Sequence, residues 1–219
     1  MCFSAAGSFF AAGTLTAIGC AAFTREVPPP SRPALAIPFL FAAQQAAEGV
    51  VWKTMGTTGS ALHAASVNTF LFFAICVWPV WMPWAALHVE KIPWRRRRIA
   101  GLFALGIVTA VVGAAYLAGF HNTVVVTDGS LRYRLAPTTR VTGTIFLLAY
   151  CASAVLPFFL AWERWMKFFG AALAVSLLAA SVIWNLTYLS VWCFFAAFLS
   201  IIVVAGATHA KGPARLAHA

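Results

Sequence analysis

Residues 60–119 read SALHAASVNTFLFFAICVWPVWMPWAALHVEKIPWRRRRIAGLFALGIVTAVVGAAYLAG, and the two halves of this stretch decide the fold. Each half contains an apolar run of the length a helix needs to cross the hydrocarbon core of a bilayer, about 20 residues. Between the runs lie Lys91, Arg95, Arg96, Arg97 and Arg98. The stretch therefore reads as two membrane-crossing helices joined by a basic turn, and Lys and Arg in short loops are retained on the cytoplasmic face.

The same pattern continues on both sides. Apolar segments at about 3–23, 34–55, 60–88, 99–119, 141–162, 168–188 and 190–207 predict seven transmembrane helices. The whole chain has 219 residues, 62% of them hydrophobic and 9% charged, with a mean hydropathy of +0.87. A soluble domain carries about 25% charged residues, so a soluble enzyme is excluded. The gaps between segments leave no room for a second domain, and residues 1–219 read as one integral membrane domain, an all-α seven-helix bundle. A signal peptide is the rival reading of the first segment, but such a peptide opens with basic residues. Here the first charges, Arg25, Glu26 and Arg32, follow the apolar run, so a retained helix is expected.

Fixing the arginine loop inside puts the N-terminus outside and the C-terminus inside. Arg25, Arg32, Lys91, Arg95, Arg96, Arg97, Arg98, Arg164, Lys167, Lys211 and Arg215 then fall inside, eleven of the 15 Lys and Arg, while Lys53, Arg132, Arg134 and Arg140 fall outside. The formal charge of +10 thus records topology rather than a nucleic-acid surface. Arg95, Arg96, Arg97 and Arg98 also suit anionic lipid headgroups, at about 1 kcal/mol per residue near the surface. Trp78, Trp81, Trp84 and Trp94, with Trp162 and Trp165, read as an interfacial belt at the inner ends. Pro79 and Pro83 predict a bend in the third helix, and Gly106, Ala110, Gly113 and Ala114 predict a small-residue packing face on the fourth.

With direction fixed, the polar residues within the helices crowd toward the outer ends: Cys2, Ser4 and Ser8; Gln44, Gln45, Glu48 and Trp52; His63, Ser66 and Asn68; His121; Thr142 and Thr144; Asn185, Thr187 and Tyr188; Ser190, Trp192 and Cys193. Glu48 is the most informative of them, because a carboxylate inside an apolar helix is costly and faces a polar interior or cavity. Gln44, Glu48 and Trp52 are spaced by four and share one helix face, with Gln45 three before the acid. The plainer alternative is a protonated Glu48 bonded to a neighbouring helix, or paired with Lys53.

His63 and His121 stand where a histidine can ligate a metal, carry protons or sit wet at the interface. Of the five cysteines, Cys20, Cys76 and Cys151 read as buried packing residues. Cys2 and Cys193 fall at the outer face, where a disulfide between them, inert thiols, or metal ligation remain open; removal of Met1 would give Cys2 an amine and a thiol for zinc or copper. In the connection from His121 to Arg140 two β-prone runs flank Asp128-Gly129, the favoured hairpin turn. Alternation puts Arg132 and Arg134 on one face and Leu131, Tyr133 and Leu135 on the other, so the hairpin, with Arg132, Tyr133 and Arg134, is a candidate lid.

Met1-Cys2-Phe3-Ser4-Ala5, Ile37-Pro38, the Gln44-Gln45-x-x-Glu48-Gly49-x-x-Trp52 stretch, Trp78-Pro79-Val80-Trp81 and Ser190-Val191-Trp192-Cys193-Phe194-Phe195-Ala196-Ala197 together resemble an uncharacterised bacterial family of seven-helix membrane proteins over nearly the whole chain. The resemblance implies the fold and a bacterial envelope and supplies no activity. Better understood seven-helix classes do not fit: Lys211 lies beyond the seventh helix, where a retinal protein needs its lysine within it, and the His-x-x-x-His pair of the intramembrane zinc hydrolases is absent.

These observations predict a bacterial inner-membrane protein with a polar pocket at its outer face. Three functions are in play. A metal-dependent or acid/base enzyme acting on a lipid-like or small substrate would use Glu48 as general acid/base, with Cys2, His63, His121 and Cys193 as candidate zinc or copper ligands and Gln44, Gln45, Trp52, Asn185, Tyr188 and Trp192 lining the pocket. A proton-coupled transporter or sensor would titrate Glu48, although no internal repeat or broken helix stands out. A non-catalytic accessory subunit would use the polar groups for helix pairing, with protein partners or a second copy.

Overall fold

The structure, a computed structural model, describes residues 4–25, 29–135, 138–183 and 187–209. Seven helical spans are long and apolar enough to cross a membrane: Ala5–Phe23, Pro29–Thr57, Ala61–Val89, Pro93–Gly119, Arg140–Leu160, Arg164–Ile183 and Tyr188–Thr208. This is a multi-pass membrane protein.

Local chemistry sets most of the boundaries. Helix α1 (Ala5–Phe23) starts on Ser4, whose hydroxyl accepts from Gly7 N at 3.2 Å; this satisfies one of the orphan amides of the first turn. The second span combines a 3-10 turn (Pro29–Ser31), α2 (Arg32–Leu35), α3 (Ile37–Thr54) and a second 3-10 turn (Met55–Thr57), with proline in the opening turn of both α-helices. The third runs from α4 (Ala61–Phe72), capped by Ser60 on His63 N at 3.2 Å, through a π-helical turn (Phe73–Val77) into α5 (Trp78–Val89). Pro79 lacks the amide that would close an ordinary turn onto Ile75, and the wider turn lies where that bond is lost. The irregular turn of this span thus lies upstream of both Pro79 and Pro83.

Helix α6 (Pro93–Gly119) opens with proline in its first turn, so Arg95, Arg96, Arg97 and Arg98 lie on the helix rather than in the loop assigned to them from sequence. Its glycine face is confirmed in part. A Cβ on Gly106 would overlap the Pro79 carbonyl, and one on Gly113 would meet Ile75 Cγ2 at 2.5 Å, while Ala114 faces outward. Strands β1 (Thr123–Thr127) and β2 (Ser130–Arg134) form the expected antiparallel hairpin. Asp128 and Gly129 both take positive φ, 50° and 73°, as the two-residue hairpin turn requires. Then follow α7 (Arg140–Leu160), α8 (Arg164–Ile183) and α9 (Tyr188–His209). Tyr188 therefore opens the seventh span instead of closing the sixth.

The main core gathers Phe41 of α3, Trp78 and Met82 of α5, Phe158 of α7, Phe169 of α8 and Trp192 of α9. A second core lies toward the hairpin, where Val124 and Leu131 are buried against Val67, Phe70 and Leu71 of α4 and Cys193 of α9. Large apolar side chains such as Val111, Leu148, Phe168 and Val182 stay exposed on the outside of the bundle, compatible with lipid contact.

Candidate functional site

Three spans bring the polar groups together. Glycine lets α1 pack closely on α3: a Cβ on Gly49 would lie 2.8 Å from the Phe9 ring. That approach carries Ser8 to the carboxyl group of the neighbouring Glu48, which Gln45 also flanks. Helix α9 supplies Ser190, whose hydroxyl donates to Glu48 Oε1 at 2.5 Å. Ser8, Gln44, Gln45, Glu48 and Ser190 are all fully buried. Of the plainer expectation, the bond to a neighbouring helix is present, from Ser190 of α9, whereas Lys53 is exposed on the surface and Glu48 buried.

Gln44 faces the third span. Its Oε1 accepts from Trp78 Nε1 at 2.8 Å, and the Trp78 ring stacks on Phe41 at 3.8 Å. Trp78 is thus a buried component of the site and not part of an interfacial belt. The Cys193 thiol sits beside the Gln44 amide and within the field of Glu48; it is free and buried. Cys2 and Asn185 lie outside the described residues.

Many polar atoms here lack a partner. Ser8 Oγ, both amide atoms of Gln45 and Glu48 Oε2 lie close together but outside hydrogen-bond geometry, and Gln44 Nε2 and Trp52 Nε1 are likewise buried with no hydrogen bond among the described residues. A buried amide or hydroxyl without a partner costs about 1–3 kcal/mol by mutational measures, and native interiors satisfy nearly all such groups. The buried polar atoms near this carboxyl group make it the candidate site.

A cavity of about 490 Å³ has Trp192 in its wall. Ala74 and Ile75 of the π-turn, Gly113 and Tyr116 of α6, Tyr150 of α7 and Tyr188 of α9 are among its walls. Tyr150 and Trp192, with ring centroids 6.0 Å apart, also border a void of about 10 Å³ lined in addition by Cys193 and Trp78; Glu48 lines neither space. Tyr150 is buried and its hydroxyl has no partner among the described residues. Sequence reading missed Tyr150, which occupies an unremarkable position in an apolar helix.

The other expected residues scatter. His63 is buried, its Nδ1 2.9 Å from Thr54 Oγ1. Thr54 Oγ1 also lies 2.8 Å from Val50 O, and its contact with His63 ties α4 to the end of α3. His121 is exposed beyond α6, and Asn68 is turned to Asn122, which donates to it at 3.1 Å. Among the described residues no three His, Cys, Asp or Glu side chains are grouped to hold a metal. Trp192 is buried and donates to Leu173 O at 3.4 Å. Tyr133 stacks on Phe70 with centroids 4.3 Å apart, seating the hairpin on α4; Arg132 is half-buried and Arg134 exposed. Leu135 and Thr138, just after β2, reach the cavity wall. Cys20, expected to be buried, is exposed on α1, and Cys151 is half-buried.

The fold and site together define a seven-span membrane protein with a sealed polar interior around one carboxyl group. The chain belongs to DUF6629, a family of unknown function whose model matches residues 1–218. No curated protein and no solved structure matches it.

Proposed function

We propose that this is a bacterial inner-membrane protein, N-terminus outside and C-terminus inside, that acts as an acid/base enzyme on a lipid-like or small apolar substrate. The eleven Lys and Arg assigned to the arginine side, against four on the hairpin side, support the orientation. One observation carries the functional reading: the buried Glu48 carboxyl group has Ser8, Gln45 and Ser190 about it, with buried polar atoms there making no hydrogen bond among the described residues; a cavity of about 490 Å³ elsewhere in the bundle has Tyr150 and Trp192 in its wall. The substrate enters that largely apolar cavity from the bilayer. Movement of Tyr150 and Trp192 then opens it to Glu48, which gives or takes the proton, while Gln44, Gln45 and Ser8 supply the hydrogen bonds that orient the reacting group. The hairpin is the cover of this end, with Arg132 and Arg134 available to an anionic substituent. A metal-dependent form would need Cys2 together with donors that stand apart among the described residues, so the acid/base form is the simpler assignment.

Lipid extracts of cells producing the wild-type chain and Glu48→Gln, compared by mass spectrometry, test this. A product present with wild type and lost with Glu48→Gln, while its precursor accumulates, is expected; identical extracts would overturn the enzyme reading. Proton-coupled transport is the second reading, favoured by the π-turn of the third span, since such turns recur at functional sites and Ala74 and Ile75 of this one line the cavity. It predicts uptake into vesicles that requires Glu48 and leaves the solute chemically unchanged.

A further inference from the structure

At the arginine end of the bundle lies a second, larger cavity of about 970 Å³ that the Glu48 reading does not use. It sits between the first turns of α8 and the last turns of α9, with Arg95 of α6 at its edge. Its walls divide by chemistry. Arg95, Arg164 and Lys167 bring three positive charges against the single carboxylate of Glu163, whereas Phe168 of α8 and Ile201, Ile202 and Ala205 of α9 are apolar.

Two side chains of this groove, Arg95 and Trp165, are held by their neighbours. Arg95 Nη1 donates to Leu160 O at 3.2 Å, and its guanidinium lies over the rings of Trp94 and Trp162 at 4.9 and 5.4 Å. That fixes the group, yet its Nε is buried and makes no hydrogen bond among the described residues. Trp165 packs so closely on Gly206 that an added Cβ there would overlap its ring, and the Trp165 indole N–H is likewise buried and unused. Three cations and an adjoining apolar wall suit a phosphate carrying hydrocarbon, since charge-assisted bonds from Arg to phosphate are strong and directional.

We propose that this groove binds one anionic phospholipid. The phosphate is held by the exposed Arg164 and Lys167 with Arg95 beside them, and an acyl chain lies along Phe168 and Ile201. The site is distinct from the run of Arg96, Arg97 and Arg98, whose side chains are exposed and do not line the groove. Basic pockets between transmembrane helices hold anionic headgroups in this way.

Native mass spectrometry of the full chain in detergent, titrated with phosphatidylglycerol or phosphatidylcholine, tests the assignment. One phosphatidylglycerol should be retained at least about tenfold more tightly than phosphatidylcholine. Arg164→Gln with Lys167→Gln should bring the two lipids within about twofold, Arg96→Gln with Arg97→Gln should leave the preference intact, and Ala205→Phe, which fills the groove without touching a charge, should remove it independently. Equal binding of both lipids to wild type overturns the proposal. So does an equal loss of preference in the two double variants, or full displacement of the lipid by millimolar inorganic phosphate, which would make the site one for the free ion. None of these readouts depends on Glu48.

Discussion

Ser190 Oγ donates to Glu48 Oε1 at 2.5 Å, binding the seventh span to the second inside the bundle. Interhelical hydrogen bonds within a membrane are worth about 0.6–2 kcal/mol, so Ser190→Ala should lower stability by that amount in denaturant titration of the purified protein. Ser190→Thr keeps the donor and should lose less. In a Glu48→Leu background the cost of Ser190→Ala should fall toward zero, and an undiminished cost there would show that the two side chains do not act as a pair.

Trp78 offers a test of the buried amide. Trp78→Phe keeps an aromatic ring against Phe41 but takes the donor from Gln44 Oε1. Leaving that oxygen unpaired should cost about 1–3 kcal/mol, and Trp78→Phe with Gln44→Met should recover part of the loss because both polar partners are gone. Failure of the double variant to recover anything would mean that the indole contributes by packing alone.

Two glycines on α6 should behave oppositely. A Cβ at Gly106 runs into the Pro79 carbonyl, whereas nothing lies within 4 Å of one at Gly101. Gly106→Ala should force α5 and α6 apart and cost about 1–3 kcal/mol or more, while Gly101→Ala should be neutral or stabilising by up to about 1 kcal/mol, as expected for alanine over glycine in a helix. Thermal unfolding of the two variants side by side decides it.

Glu90 joins two loops at the arginine end. It is 2% exposed, its Oε1 accepting from Ile92 N and its Oε2 from Trp162 N, each at 2.7 Å. Glu90→Ala should cost about 1.5–3 kcal/mol for each of these bonds to a charged acceptor, and Glu90→Gln, which retains one acceptor, should cost less. Limited proteolysis should show new cleavage near Trp162 in Glu90→Ala; an unchanged pattern would place the loss elsewhere.

The spans were legible because length and apolarity are local properties, and so was the hairpin, since Asp128-Gly129 carries its own turn geometry. The Gln44, Glu48 and Trp52 stripe could be read from helical periodicity. Less legible was what each stripe faces. Trp78 resembles its neighbours Trp81 and Trp84 in sequence, yet its indole turns inward to Gln44. Arg95 is one of four identical residues, but it alone of them lines the groove beside α8. Glu90 looks like a loop charge and is in fact buried across from Trp162. Helical direction supplied depth along each span but not rotation about it, which is why His63 and His121 shared a level in sequence and do not share a site.

By itself, then, the sequence determined the number and extent of the helices and the residue types available at each end, because the cost of placing polar groups in hydrocarbon acts on each segment separately. Tertiary structure decided which of those groups meet. The close approach of α1 to α3 at Gly49 and of α6 to α5 at Gly106, the π-turn before Pro79 and the placement of Ser190 against Glu48 depend on contacts between residues far apart in the chain. Those contacts set the rotation of each helix, and rotation gathered part of a band of polar residues around one buried carboxyl group.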